Sequence, residues 1–168
     1  MKYIDWHAAF VSAMRLELID YLRELIFEEE HLLANRAQRI DLLIIKNEAD
    51  AVIQNPIGSI FSKYNICEYK SPGDTLSYSA FYKSLAYVCL YVNETQTAKT
   101  QFSAKHYTLT LVCASHPRKL FAKLPEDGME ISKVSPGIYE ITGKLPFRTQ
   151  VIVTEGFLPK EEHPTWLK

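Results

Sequence analysis

The chain has 168 residues, of which 47% are hydrophobic and 23% are charged, and its formal net charge is −1. This length and composition indicate one domain over residues 1–168 that buries a core of its own. The balanced charge excludes a surface that is basic throughout, so any surface that attracts nucleic acid must be local. Because we find neither a long apolar run nor a signal peptide, we expect a cytoplasmic protein with no membrane partner.

The cysteines and histidines form no pattern typical of a zinc site or a disulfide framework. Cys67, Cys89 and Cys113 are odd in number and lack Cys-x-x-Cys spacing. This pattern predicts three buried, reduced thiols. The five histidines have no ligand spacing either.

A helix is the first predicted element, over residues 6–27, with Asp5 as its N-terminal cap. Apolar side chains recur on one face at helical spacing, at Phe10, Val11, Met14, Leu18, Tyr21, Leu22 and Leu25. Glu17 lies at the border of this face. It is either a solvated acid paired with a neighbour such as Arg15, or a supporting acid of a functional site.

Two strands are predicted next, over residues 28–33 and 39–46. The second is a nearly continuous apolar run, typical of a central strand that is covered on both faces. Asp41 interrupts this run near its start. A buried carboxylate needs a cation or hydrogen bonds, because an unpaired buried charge is very costly.

A third strand is predicted over residues 66–70, after a short helix at 56–62 and before a Ser-Pro-Gly turn. Strand alternation places Glu68 and Lys70 on the same face. If this strand pairs with the preceding one, Asp41 and Glu68 meet at one edge of the sheet. Two carboxylates beside an amine would suit a hard divalent metal ion and proton transfer.

A second main helix is predicted over residues 78–92, with Ser77 as its cap. Phe81, Leu85, Val88 and Val92 form its core stripe, which Tyr78, Tyr82 and Cys89 widen. Lys83 falls outside this apolar arc, so it is either solvated or a polar residue lent to the site.

The later part of the chain is predicted to be mainly β. A loop over residues 93–106 leads to a strand over 107–115, and a hairpin joins 130–134 to 138–142 through Ser-Pro-Gly. One more strand spans 149–154. Between the strand over 107–115 and the hairpin, a short helix after Pro117 contains Arg118, Lys119 and Lys123, which either bind phosphates or are simply solvated.

The last ten residues, 159–168, begin like a helix and stop after a Trp-Leu pair. Large apolar side chains at a chain end need a cover. We therefore expect a domain truncated at its C-terminus, in which Trp166 packs on the domain, on a partner, or on a second copy in a homodimer.

Asp41 followed by Glu68-Tyr69-Lys70 resembles the PD-(D/E)XK nuclease superfamily. The run Glu-Tyr-Lys-Ser-Pro with a following Asp is similar to a largely uncharacterised bacterial branch of it. The order of predicted elements agrees over residues 6–154. The Pro-Asp step that names the motif is absent, since Ile40 precedes Asp41.

The resemblance implies an α/β fold with a restriction-endonuclease-like core, which consists of a helix, a three-strand meander, a helix and a strand. The hairpin would extend this core into a larger mixed sheet. The implied activity is that of a nuclease dependent on Mg²⁺ or Mn²⁺. Its implied partner is nucleic acid, with DNA favoured over RNA.

The resemblance also implies roles for individual residues. Asp41, Glu68 and the backbone carbonyl of Tyr69 would hold the metal ion, and Lys70 would orient the attacking water. Glu17 would lie near the metal. The nucleic acid would be contacted by Lys83, Arg118 and Lys119.

The alternative interpretation is a catalytically inactive protein of the same fold that serves as a binding module. In that case Glu68 and Lys70 pair only with each other at the end of a strand.

Overall fold

The computed structural model describes residues 5–33, 38–48, 50–96 and 103–157. In these ranges seven strands form one sheet that is accompanied by three α-helices. The helices are α1 (Trp6–Glu17), α2 (Tyr78–Thr95) and α3 (Arg118–Lys123). The strands are β1 (Leu25–Leu32), β2 (Arg39–Lys46), β3 (Tyr64–Lys70), β4 (Tyr107–Cys113), β5 (Met129–Ser135), β6 (Ile138–Gly143) and β7 (Arg148–Val153).

The sheet is mixed, with the strand order β1-β2-β3-β4-β7-β6-β5. The first three strands form an antiparallel meander, and β3, β4 and β7 are mutually parallel neighbours. The remaining pairs, β7 with β6 and β6 with β5, are antiparallel. The predicted α/β class and mixed sheet are therefore confirmed, as is the hairpin around Ser-Pro-Gly.

Two apolar cores lie on opposite faces of this sheet. Side chains of α2, including Phe81 and Val88, pack on one face together with Ile66 of β3. Phe10 and Met14 of α1 pack on the other face with Cys67. Successive residues of β3 thus enter different cores, as strand alternation requires. The central strands are apolar on both faces for this reason.

The first helix is shorter than the predicted span of residues 6–27. Asp5 caps it as expected, accepting a hydrogen bond from the Ala8 N–H at 3.1 Å, but α1 ends at Glu17. The Asn55 side chain donates to the Glu17 carbonyl at 2.9 Å and so satisfies a carbonyl at the helix end. The helical spacing of apolar residues continues beyond this point, yet Leu25 enters the core from β1.

Ser77 caps α2 as predicted, accepting a hydrogen bond from the Ala80 N–H at 3.1 Å. The predicted apolar arc was too wide on one side. Tyr82 and Cys89 are exposed, because the buried face is centred on Ser84 and Val88 instead. The prediction of three buried thiols is therefore wrong for Cys89 and confirmed for the other two cysteines.

The expected short helix over residues 56–62 is a single 3-10 turn, Gly58–Ile60. The expected packing of Trp166, and with it the question of a homodimer, lies outside the described residues.

Asn65 fixes the register of β3 against both of its neighbours. Its amide nitrogen donates to the carbonyls of Ile44 and Ser62, each at 2.9 Å. Its amide oxygen accepts from the Ser62 N–H and from the Thr108 hydroxyl, each at 2.8 Å. This fully buried side chain thus satisfies its whole hydrogen-bonding capacity and joins β2, β3 and β4.

We expect Asn65→Leu to lower the free energy of unfolding by about 2–4 kcal/mol, because several buried backbone and hydroxyl groups lose their partner. Urea unfolding followed by circular dichroism measures the loss. The matched control is Asn47→Leu, which removes one exposed hydrogen bond, to the Arg23 carbonyl at 2.7 Å. It should cost about 1 kcal/mol or less. Equal losses in the two variants would contradict the role given to Asn65.

Candidate functional site

The hydrogen-bonded pairing of β2 with β3 ends at Leu42 and Cys67, and two carboxylates continue the connection. The Asp41 N–H donates to Glu68 Oε1 at 3.2 Å, and the Tyr69 N–H donates to Asp41 Oδ2 at 2.8 Å. Each carboxylate therefore satisfies a backbone donor of the neighbouring strand. The predicted adjacency of the two strands is confirmed, and it brings the two acids together.

Tyr69 connects this carboxylate pair to the opposite face of the sheet. A residue in an extended strand directs its N–H and C=O to the same side, so the Tyr69 carbonyl also points towards β2. Its ring stacks on Phe10 of α1, with centroids 4.9 Å apart and planes 8° from parallel. This stacking restrains the residue whose backbone adjoins both acids.

Glu68 is the buried member of the pair, with 6% of its surface exposed. Burial and then the negative charge of Asp41 raise the pKa of Glu68 to about 8, against the opposing effect of the Asp41 N–H and of two lysines. Near neutral pH the pair therefore retains a proton when no cation is bound. A cation between the acids would favour loss of that proton.

Lys70 is one of these two lysines. It is the half-buried last residue of β3, and its charge lowers the pKa of Glu68. Within the described ranges, no ion pair of 4.0 Å or less joins it to Glu68. The direct pairing that a purely structural role predicts is thus not formed there.

Lys83 of α2 is the second lysine that acts on the pair. Its Nζ lies 5.5 Å from the centroid of the Tyr87 ring. Tyr87 raises the pKa of Lys83 against the opposing effect of burial, and the charges of Glu68 and Asp41 raise it further. Lys83 lies outside the apolar arc, as predicted, yet it lies within the electrostatic field of the carboxylates.

Tyr87 is a neighbour of the site that sequence reasoning missed. It is buried at the edge of the α2 core stripe, one turn after Lys83. The i, i+4 spacing of the two residues was the available signal, since such pairs are neighbours on a helix.

Basic residues of α3 follow the carboxyl end of β4, which lies in register with the end of β3 at Lys70. Leu120 packs α3 into the same core as α2, on the face where Glu68 lies. Arg118 and Lys119 are exposed and make no ion pair with another described residue. Lys123, by contrast, pairs with Glu126 at 3.3 Å.

Glu17 lies elsewhere. It is exposed at the end of α1 and lines a cavity on the α1 face together with Tyr69, whereas Glu68 faces α2. The neighbour considered for it, Arg15, pairs with Glu29 at 3.4 Å instead. The structure therefore brings together Asp41, Glu68, Lys70 and Lys83, and it does not bring Glu17 to them.

The candidate site contains few acidic side chains that could bind a metal ion. In the part of the chain that the structure describes, no group of three or more His, Cys, Asp or Glu side chains is arranged to hold a metal ion. A metal ion at this site would need the two carboxylates together with backbone oxygen and water. None of the helices in the same ranges has the length and apolar character needed to cross a membrane.

Comparisons of this chain with models of protein families, with curated proteins and with solved structures find no match.

The raised pKa of Glu68 makes stability depend on pH. Between the ordinary pKa of 4.5 and about 8, the folded state holds a proton that the unfolded state has lost. The unfolding free energy of the protein in a metal chelator should therefore decrease as pH rises through this range, by on the order of a few kcal/mol.

Glu68→Gln should remove this decrease, because the amide does not titrate. Glu130→Gln, which changes an exposed acid on β5, should leave it unchanged. Urea unfolding between pH 5 and 8.5 measures the three curves. The same slope in wild type and Glu68→Gln would contradict the pKa assignment.

Proposed function

We propose that the protein is a metal-dependent phosphodiesterase that acts on nucleic acid, with DNA favoured over RNA. The observation that carries this proposal is the pair Asp41 and Glu68, two carboxylates held together at the end of the β2–β3 ladder. Burial and then the negative charge of Asp41 raise the pKa of Glu68, so a second negative charge is disfavoured at this site. A divalent cation would relieve this penalty.

The donor set fits Mg²⁺ or Mn²⁺, which prefer oxygen ligands. Asp41, Glu68 and the carbonyl of Tyr69 would hold the ion, and water would complete its coordination. When bound, the ion would lower the pKa of a water molecule and screen the negative charge of a phosphate.

The two lysines whose charges act on Glu68 would also act on the substrate. Lys70, at the end of β3, would orient the attacking water and offset charge that develops on the phosphate. Lys83 is exposed and already lies in the field of the carboxylates, so its ammonium would bind a neighbouring phosphate oxygen. Arg118 and Lys119 would extend this positive surface along the nucleic acid.

The order of elements adds support. From α1 through the meander β1–β2–β3 and α2 to β4, the chain follows the order of the restriction-endonuclease-like core. Asp41 and Glu68-Tyr69-Lys70 occupy β2 and β3 of this order, as in the PD-(D/E)XK motif that they resemble. The hairpin β5–β6 and strand β7 would be additions to that core.

One observation favours a second candidate, the catalytically inactive binding module. The reciprocal hydrogen bonds of Asp41 and Glu68 close the ends of two strands without any metal ion. A protein that needs the acids only for this purpose would keep them for stability. The two candidates differ in whether a metal ion binds and in whether phosphodiester bonds are cleaved.

The first test is metal binding. We expect Mn²⁺ to raise the melting temperature of the wild type and to displace about one proton at pH 7, because Glu68 must ionise to bind the ion. Calorimetric titration in two buffers of different ionisation enthalpy counts the proton.

Asp41→Asn and Glu68→Gln retain oxygens that accept the backbone hydrogen bonds, so both variants should fold yet lose the response to Mn²⁺. Glu130→Gln should respond like the wild type. An unchanged Mn²⁺ response in both site variants would contradict the proposed ligands. No response in the wild type would favour the binding module.

The second test is cleavage of labelled single- and double-stranded DNA and RNA with Mn²⁺. Lys70→Met keeps the bulk of the side-chain stem and removes its charge and donors. Cleavage should fall by on the order of 10²-fold, the scale of positioned proton-transfer groups. Binding of Mn²⁺ should be retained.

Lys133→Met is the control for this experiment, because Lys133 is an exposed lysine at the far edge of the sheet. It should cleave at the wild-type rate. Cleavage by Lys70→Met at that same rate would rule out the role given to Lys70. No cleavage of any substrate by the wild type would favour the inactive candidate.

A further inference from the structure

A cavity of about 260 Å³ lies between α1 and the sheet, on the face opposite Glu68. Most of its lining is apolar or aromatic, as at Trp6, Phe10, Ile57, Val112 and Ile152. An engineered apolar cavity of about 150 Å³ holds benzene, so a cavity of this size admits a two-ring molecule. Cavities of this kind, with an apolar wall and a few polar groups, are typical small-molecule sites.

The polar groups of this cavity are acidic. Glu17 and Glu155 both line it and are both exposed, so they lie where it opens to solvent. Neither forms an ion pair within the described ranges, and the side chain of Glu155 accepts one hydrogen bond, from the Ser115 hydroxyl at 2.8 Å. Two uncompensated carboxylates at the opening favour a cation there and disfavour an anion.

The wall favours a flat, aromatic body. The stacked rings of Phe10 and Tyr69 and the indole of Trp6 offer aromatic surface to a ligand. Aromatic side chains pack well against other rings, and they also attract a cationic group placed over their faces. The acidic opening and the aromatic wall thus favour the same class of ligand, a flat aromatic molecule with a cationic group.

We propose that this cavity is a binding site for a small aromatic amine, with the ring in the cavity and the ammonium group beside Glu17 and Glu155. The proposal does not rest on the proposed nuclease activity, since it uses neither Asp41 nor Glu68 and shares with that site only Tyr69, whose ring lines the cavity. It gives Glu17 a role in ligand binding in place of the metal-site role that the sequence suggested.

The test compares three probes that share the indole ring system and differ in charge: tryptamine, indole and indole-3-propionate. Binding to the full chain is measured by calorimetry and by protein-observed NMR at constant pH. Tryptamine should bind more tightly than indole, and indole more tightly than indole-3-propionate. The double variant Glu17→Gln/Glu155→Gln should weaken tryptamine by about fivefold, the effect of two exposed carboxylates, and leave indole unchanged.

Ala13→Phe fills the cavity, because Ala13 lines it, and should abolish binding of all three probes. Ala8→Phe makes the same change at an exposed position of α1 that is not in the lining, and it should bind like the wild type. Circular dichroism and melting temperature check that both variants are folded.

Several results would overturn the proposal. They are equal or tighter binding of indole-3-propionate, retained binding in folded Ala13→Phe, and no binding of tryptamine at millimolar concentration. Binding that occurs only after removal of residues 158–168 would also overturn it, because the cavity would then be a site for the chain's own C-terminal segment.

Discussion

Asp41 and Glu68 each accept a hydrogen bond from the backbone of the neighbouring strand, and these two bonds hold the acids at one place in the sheet. Burial and mutual repulsion both act against two ionised acids at this place, and backbone N–H groups and two lysines oppose these effects. The arrangement persists because β3 is restrained along its length. Asn65 holds its start to β2 and β4, and the ring of Tyr69 is stacked on α1 near its end. The fold thus holds an acid pair that a cation would stabilise.

The opposite faces of β3 have different chemistry as a consequence of strand alternation. Glu68 faces α2, where Lys83 contributes positive charge and α3 adds Arg118 and Lys119 on the same side of the sheet. Tyr69 faces α1 and lines an apolar cavity that opens beside two further acids. Basic groups near one face suit a polyanion, whereas the cavity on the other suits a small cation. One strand therefore serves two candidate sites through neighbouring residues.

The parts of the site that could be predicted are those governed by strand periodicity. The apolar run of β2 and the alternation in β3 were sufficient to predict that Asp41 and Glu68 come together when the two strands pair. The end of α1 could not be predicted, because it depends on a hydrogen bond from Asn55, far along the chain. Whether Cys89 is exposed depends on the rotation of α2 about its own axis against the sheet. The spacing of apolar residues defined only one border of the buried face, so it did not fix this rotation. Likewise the position of Glu17 on a helix could be predicted, but not that it lines a cavity together with Glu155, which follows β7 far along the chain.

The most direct test of the account is crystallographic. Crystals of the protein grown with Mn²⁺ near pH 8, where Glu68 ionises, would be measured at a wavelength at which manganese scatters anomalously. We expect one strong anomalous peak within about 2.0–2.6 Å of oxygens from Asp41, Glu68 and the Tyr69 carbonyl. This peak should be absent from crystals of Asp41→Asn. A map without the peak, in which the reciprocal hydrogen bonds of the two acids remain unchanged at saturating Mn²⁺, would contradict the proposed metal site.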